Sequence, residues 1–256
     1  MINTKKDREN LYLKLSDMDV LSKLQKFLKR GGYHINTSGK IVPHVPALSW
    51  DVPWVYVKMR PMMRCDIGHH ILWEYFKIIS STCRQCYKVV VRPRNLKELF
   101  DLYELEKELD VPSKCGIELR RTVMGLYGGY FYNDGLQEGK ERYKQVREAV
   151  NDKLSPETSV ILKRYCTEFE IDKNGKGPSD KLPDLTEKEK YIEQMITSII
   201  PDHMHNTEIP EFMVAHVMRK WIHFAYQNGD ETYKEFTGGN PLFPSTVTYH
   251  DKQQED

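Results

Sequence analysis

What this chain lacks first is a net charge: 38 basic side chains stand against 37 acidic ones, a formal balance of +1 over 256 residues. No global field draws it onto nucleic acid or membrane, so any basic surface has to be local. Long apolar runs are missing too. Nothing approaches the roughly 18–20 residues of a membrane span, and the opening MINTKKDRENLYLKL is too polar for the core of a signal peptide. The expectation is an intracellular, cytoplasmic protein without membrane contact. The patterns G-x-x-x-x-G-K-S/T, G-x-G-x-x-G after a strand, G-x-S-x-G and H-E-x-x-H are absent, which removes the common nucleotide-binding and hydrolase signatures. Cysteine is scarce: five residues, an odd number beside no export signal, favour metal ligands or reduced free thiols over a disulfide framework.

What is present suffices for a sizeable core. Hydrophobic residues make up 39% and tyrosine alone contributes 15 rings, so the chain reads as one large domain or a compact domain with helical extensions. In DVLSKLQKFLKR the residues Leu21, Leu24 and Leu28 fall at helical spacing, and the pattern stops at Gly31-Gly32. Residues 33–64 carry Pro43, Pro46, Pro53 and Pro61 among Trp50, Trp54 and Tyr56, which predicts extended pieces wrapping a core. HHILWEYFKIIS reads as a short apolar helix. Residues 1–82 are thus an N-terminal helical and extended region packing on a central core.

Residues 83–171 form that core and carry the clearest pattern. YKVVVRP (87–93) predicts a strand, and NLKELFDLYELEKEL (95–109) a helix capped by Asn95 with Glu98 as its return partner. CGIELRR (115–121) and YGGYFYN (127–133) predict two more strands, LQEGKERYKQVREAVNDKL (136–154) a second helix, and SVILKRYCTEF (159–169) a fourth strand. The order β-α-β-β-α-β predicts an α+β fold with a ferredoxin-like core, an antiparallel four-stranded sheet in the spatial order 4-1-3-2 with two helices. Residues 172–256 add a Gly/Pro/Lys/Asp linker, two helices and a polar tail from about Asn228 that reads as weakly ordered.

Strand direction gathers the thiols. Strands 1 and 2 run up and strands 3 and 4 run down, so Cys83 and Cys86 before strand 1, Cys115 opening strand 2 and Cys166 near the end of strand 4 should meet at one rim. Those four thiols, spread over roughly 10 Å of sheet, suit a 4Fe–4S iron–sulfur cluster. Cys65 and His69, at C-x3-H spacing, would instead join Cys83 and Cys86 in a tetrahedral zinc site. The bland alternative is that Cys115 and Cys166 pack as small hydrophobes with no metal. The C-x3-C-x2-C of radical SAM enzymes is absent.

Alternation along the strands turns Lys88, Arg92, Arg120, Lys163 and Tyr165 away from the helices. With Tyr130 and Tyr132 facing the same way, the sheet would present a basic, aromatic platform of the kind that binds single-stranded RNA or DNA. YGGYFYN resembles, in its aromatic-glycine texture, the RNP1 stretch of an RNA-recognition motif. It lacks that motif's initial basic residue and valine. Covered by the terminal helices, the same tyrosines would be core. Two further classes stand beside a metal-stapled nucleic-acid binder. One is a metal-dependent or iron–sulfur enzyme acting on a nucleotide or nucleic acid, with Glu118 or Asp134 as acid or base. The other is a structural or assembly protein whose terminal helices dock protein partners. His216 and His223, seven apart on the last helix, read as core-edge histidines.

Overall fold

The computed structural model describes residues 17–31, 33–43, 53–58, 68–167, 169–177, 184–200 and 210–243. In chain order these form α1 (Asp17–Gly31), β1 (Tyr33–Ile35), β2 (Ile41–Pro43), β3 (Trp54–Lys58), a π-helical segment (Gly68–Tyr75) and α2 (Ser81–Arg84). Next come β4 (Cys86–Arg92), α3 (Leu96–Leu109), β5 (Ser113–Ile117), β6 (Tyr127–Asp134), α4 (Leu136–Lys153) and β7 (Ser159–Arg164). α5 (Glu187–Ser198), α6 (Glu211–Gln227) and a 3-10 turn (Glu231–Phe236) close the chain.

The central sheet is antiparallel throughout and has five strands in the order β3-β5-β6-β4-β7. Four of them are the strands read from the sequence, lying side by side in the expected sequence of neighbours. The fifth, β3, corrects the expectation of a four-stranded sheet: it comes from the proline-rich segment and pairs with β5, Val55 opposite Cys115. Pairing brings its backbone so close that Gly116 admits no side chain, since a Cβ there would stand 2.1 Å from the Pro53 oxygen.

Three helices cover one side of this sheet, and their placement follows from width. Four strands at about 4.8 Å spacing are spanned by two helices of about 10 Å diameter, but a fifth strand leaves an uncovered edge. α3 supplies the buried row Leu96, Leu99, Leu102 and Leu105, α4 supplies Val146 and Val150, and α6 packs against α3, β3 and β5 with Val217, Trp221 and Ala225. The Trp221 indole donates to the Pro53 oxygen at 2.8 Å, and the Ile117 amide donates to the same oxygen at 3.2 Å. α3 begins as expected, with the Asn95 side chain accepting from the Glu98 amide at 2.9 Å. The Glu98 carboxylate, however, accepts from the Arg94 amide and the Thr158 hydroxyl instead of returning to the cap residue.

The first part of the expected tail departs from expectation, while residues 244–256 lie outside the described residues. The stretch from Asp230 to Phe236 is packed down: Phe236 stacks on Phe100 with ring centres 4.1 Å apart, and Asp230 accepts from the Tyr127 hydroxyl and the Leu96 amide. Aromatic anchors hidden in a polar run decide this.

A second core forms apart from the first. Val20, Leu24, Phe27 and Leu28 of α1 meet Ile71 and Leu72 of the π-helical segment, then Phe76 and Ile78, and Ile192 and Ile196 of α5. The inward stripe of α1 differs by one position from its reading, because Val20 is buried while Leu21 faces solvent. A capping box, Thr186 with Glu189, starts α5. The two C-terminal helices therefore serve different cores, α5 the N-terminal one and α6 the sheet. Ser81 of α2 donates from its amide and its hydroxyl to Glu193 of α5, which ties the cores together.

Candidate nucleic-acid interface and thiol rim

On the side of the sheet away from α3 and α4, the strands present their other alternate residues. Register sets Tyr130 of β6 between Val90 of β4 and Lys114 of β5, with Lys114 in turn opposite Tyr56 of β3. Charge gathers on this one ring. Arg92, Lys114, Arg120 and Lys163 place their cationic groups 5.8, 5.6, 5.8 and 5.3 Å from its centre, and the Trp54 ring meets it edge-on at 5.6 Å. Lys114 also lies 4.3 Å from the centre of Trp54 and 5.3 Å from that of Tyr56. Such cation–aromatic stacking offsets part of the cost of taking cations out of water.

One carboxylate anchors the group. Glu118 accepts from Arg120 through its amide (3.0 Å), Nε (2.9 Å) and Nη2 (2.6 Å), and from the Tyr130 hydroxyl at 2.8 Å. Arg92 Nη1 donates to the same hydroxyl at 3.1 Å. Burial by itself would raise the Glu118 pKa; the Arg120 and Tyr130 hydrogen bonds overrule it and hold the carboxyl at about 2. Burial pushes the Tyr130 phenol up to about 12. A carboxylate fixed as an ion to that acidity does not exchange protons near neutrality, and its role here is that of a counter-charge.

The sequence suggested an exposed platform, and the centre of the face is not exposed. Lys163 is 1% accessible, Tyr130 4% and Lys88 8%, whereas the Arg120 side chain is 47% accessible. Arg92, Lys114, Trp54, Tyr56 and Tyr132 are half-buried around the margin. Tyr165 stands outside the cluster, in the turn past β7 with a left-handed φ of 39° and its ring beside Arg164. Lys114, Trp54 and Tyr56 join the face without having been expected there. The alternation W-V-Y-V-K was the available signal for the last two, and Lys114 falls one residue before Cys115, where pattern alone starts the strand.

Lys88 links this face to the thiols. Its Nζ lies 5.5 Å from the centre of the Tyr132 ring and 3.3 Å from Cys166 Sγ. Cys166 is exposed just beyond β7, Cys86 opens β4, and Cys83 sits in α2, where Ser80 accepts from its amide at 3.0 Å. The Tyr165 amide donates to the Cys86 oxygen at 2.7 Å, which holds the two segments together. Burial raises the Cys83 thiol pKa, and the neighbouring Cys166 and Cys86 add to the rise against the pull of Ser80 and Lys88. Three of the four thiols expected at this rim are therefore there.

Cys115 is not. It pairs with Gly129, which pairs with Val91, five residues along β4 from Cys86, so the two lie about 17 Å apart along the strands in addition to the width of two strands. Its side chain faces the helices, fully buried beside Glu106. The physical reason is register. β5 starts with Ser113 opposite Phe131, level with Val89, so it begins well short of the rim where β4 begins. The four-thiol cluster reading fails on that shift. Cys65 lies outside the described residues, as does the side chain of His69, whose backbone belongs to the π-helical segment. Among the described residues, no group of three or more His, Cys, Asp or Glu side chains has the geometry to hold a metal ion. Asp134 does lie at the rim, paired with Cys86, and it is exposed.

The opposite face hides a second carboxyl. Glu106 of α3 is fully buried against Gly129, beside Ser113 and Cys115. Burial raises its pKa well above the ordinary carboxylate range, neither carboxyl oxygen receives a hydrogen bond, and the nearby Cys115 and Ser113 only temper the shift. No helix among the described residues is long and apolar enough to cross a membrane. No family model matches the chain, and neither a curated protein nor a solved structure matches it.

Proposed function

We propose that this chain is a cytoplasmic protein that binds single-stranded nucleic acid along the margin of the cation-bearing sheet face. The observation that carries the reading is the convergence of Arg92, Lys114, Arg120 and Lys163 on the Tyr130 ring, beside further rings at Trp54, Tyr56 and Tyr132. The buried cations raise the local potential, and the accessible ones, Arg120 and Lys114, meet phosphates while bases stack on the half-buried rings. We read the four strands β7-β4-β6-β5 with α3 and α4 as a ferredoxin-like core extended at its β5 edge by β3. Fluorescence anisotropy of labelled oligo(dT) and oligo(U) over a salt series tests the proposal. Affinity should fall with salt, and Lys114→Ala should reduce the log–log slope by about 0.7, one single-strand phosphate contact. Absence of binding at low salt, or an unchanged slope in the variant, overturns it.

The thiol rim favours a structural addition to this reading. The C-x-x-C spacing of Cys83 and Cys86 is what supports it: those two soft ligands suit zinc, Cys65 or His69 are the residues the sequence offers beside them, and Cys166 would have to draw closer to join, since the described thiols do not by themselves have the geometry of a metal site. Zinc there would staple α2 and β4 to the turn after β7. Elemental analysis of protein purified without oxygen should find stoichiometric zinc that Cys83→Ser with Cys86→Ser removes; metal-free protein sinks the addition. The enzyme alternative has less support, because Glu118 is locked in its ion cluster and Asp134 alone would have to carry the proton transfer.

A further inference from the structure

At the rim where β4 begins, the turn past β7 is held against two other thiols. The backbone turns at Tyr165, in its left-handed conformation, and two hydrogen bonds fix it to the junction of α2 and β4. Arg164 Nε donates to the Arg84 oxygen at 2.8 Å, and the Tyr165 amide donates to the Cys86 oxygen at 2.7 Å. Cys166 follows directly. It is exposed, and Lys88 Nζ donates to its sulfur at 3.3 Å. Lys88 itself is buried beside the Tyr132 ring, so an accessible cysteine has a cation held at its sulfur. Cys83, next to Arg84, is a half-buried thiol. The field of Cys166 at Cys83 exceeds that of Cys86, although Cys86 is the more buried and burial strengthens a field; Cys166 is thus the closer neighbour.

We propose that Cys166 is a site of oxidation by hydrogen peroxide and that Cys83 resolves its sulfenic acid into a Cys83–Cys166 disulfide. The Cys166 thiolate attacks one peroxide oxygen; the O–O bond breaks, sulfur becomes S–OH, and the departing hydroxide takes up a proton as water. Lys88 stands where negative charge sits on sulfur before the attack. The Cys83 sulfur then attacks the S–OH sulfur, the S–S bond forms as the S–O bond breaks, and a second water leaves. Two thiols lose two electrons, and one peroxide becomes two waters. Cys115 takes no part, because it is fully buried on the helix side of the sheet. The inference does not rest on the nucleic-acid reading. It bears on the zinc addition, since Cys83 serves a metal or a disulfide but not both at once.

Peroxide titration of the full chain, treated with a chelator so that the outcome stands apart from the zinc addition, tests the inference. Non-reducing peptide mapping by mass spectrometry should recover a peptide pair linked through Cys83 and Cys166 and leave Cys115 a thiol. In Cys83→Ser the sulfenic acid has no resolving partner, and dimedone should label Cys166. Lys88→Gln, which keeps a donor and removes the charge, should slow that labelling about tenfold in the same background. Crosslinking in a chain that never held zinc supports the inference while the zinc addition falls. A main product linking Cys83 to Cys86, or Cys65 to Cys166, overturns it. So does a Cys166 that remains a thiol in excess peroxide, labelling that Lys88→Gln leaves unchanged, or oxidation of Cys115 as fast as that of Cys166.

Discussion

Each face of the sheet buries a carboxyl group, Glu106 on one and Glu118 on the other, and the two are treated in opposite ways. On the helix side Glu106 is fully enclosed by Leu102, Gly129, Ser113 and Cys115, and its acidity is weakened. On the other side the Glu118 side chain is likewise almost shut off from solvent, though less deeply enclosed, and stays ionised down to about pH 2. Desolvation acts on both in the same direction. The difference lies in the partners: Glu106 has only a thiol and a hydroxyl nearby and neither of its oxygens receives a hydrogen bond, whereas Glu118 accepts from a guanidinium, an amide and a phenol. Loss of solvent contact alone therefore does not fix the charge a buried acid carries; its hydrogen-bond partners do, and the sheet is apolar on one side and electrostatic on the other.

The largest test of that contrast is Glu118→Gln. It removes the counter-charge from Arg120 and Arg92 and should cost about 2–3 kcal/mol in urea denaturation at pH 7. Because the folded-state pKa of Glu118 is depressed, its contribution is present above the ordinary carboxylate range and is lost as pH falls towards about 2. The acid limb of the stability profile should therefore be shallower in the variant. A variant with wild-type stability and an unchanged acid limb would show that the ion cluster contributes nothing net.

Gly129→Ala probes the packing on the helix side. A Cβ there would stand 2.4 Å from Leu102 Cδ2 and 3.2 Å from Glu106 Oε1, so the Leu102 side chain has to leave its rotamer or α3 has to shift, at a cost of about 1–2 kcal/mol. Thermal unfolding measures it, and no change would mean that α3 rides more loosely on β6 than those distances require.

The smallest effect has the opposite sign. Glu106→Leu should stabilise by about 1 kcal/mol at pH 8 and do little at pH 4. With the folded pKa raised, both states are protonated at low pH; as pH climbs past the ordinary carboxylate range only the unfolded chain ionises, and stability falls. Removing the acid removes that decline. Equal effects at both pH values would contradict a protonated Glu106.

Much of this was legible from residue pattern, because period two fixes the face of a strand residue wherever the strand sits. Lys88, Arg92, Tyr130 and Lys163 could be placed together on that basis. Pattern does not fix register, and the misplacement of Cys115 came from that gap: direction along the sheet was readable, while the offset between β4 and β5 depends on how α3 and the turn after it return the chain. β3 was hidden by its prolines, although Pro53 precedes the strand and uses only its carbonyl. The pairing of Glu118 with Arg120, two residues on, was visible as proximity in sequence, but its electrostatic consequence needed the enclosure that only the folded sheet provides.

The doubly used oxygen of Pro53 carries one more consequence. It binds the outermost strand both to its neighbour and to the final long helix, so β3 has no independent way to fray. Amide protons of Val55, Ile117 and the middle of α6 should exchange with solvent as a single unit, opening together or remaining closed together.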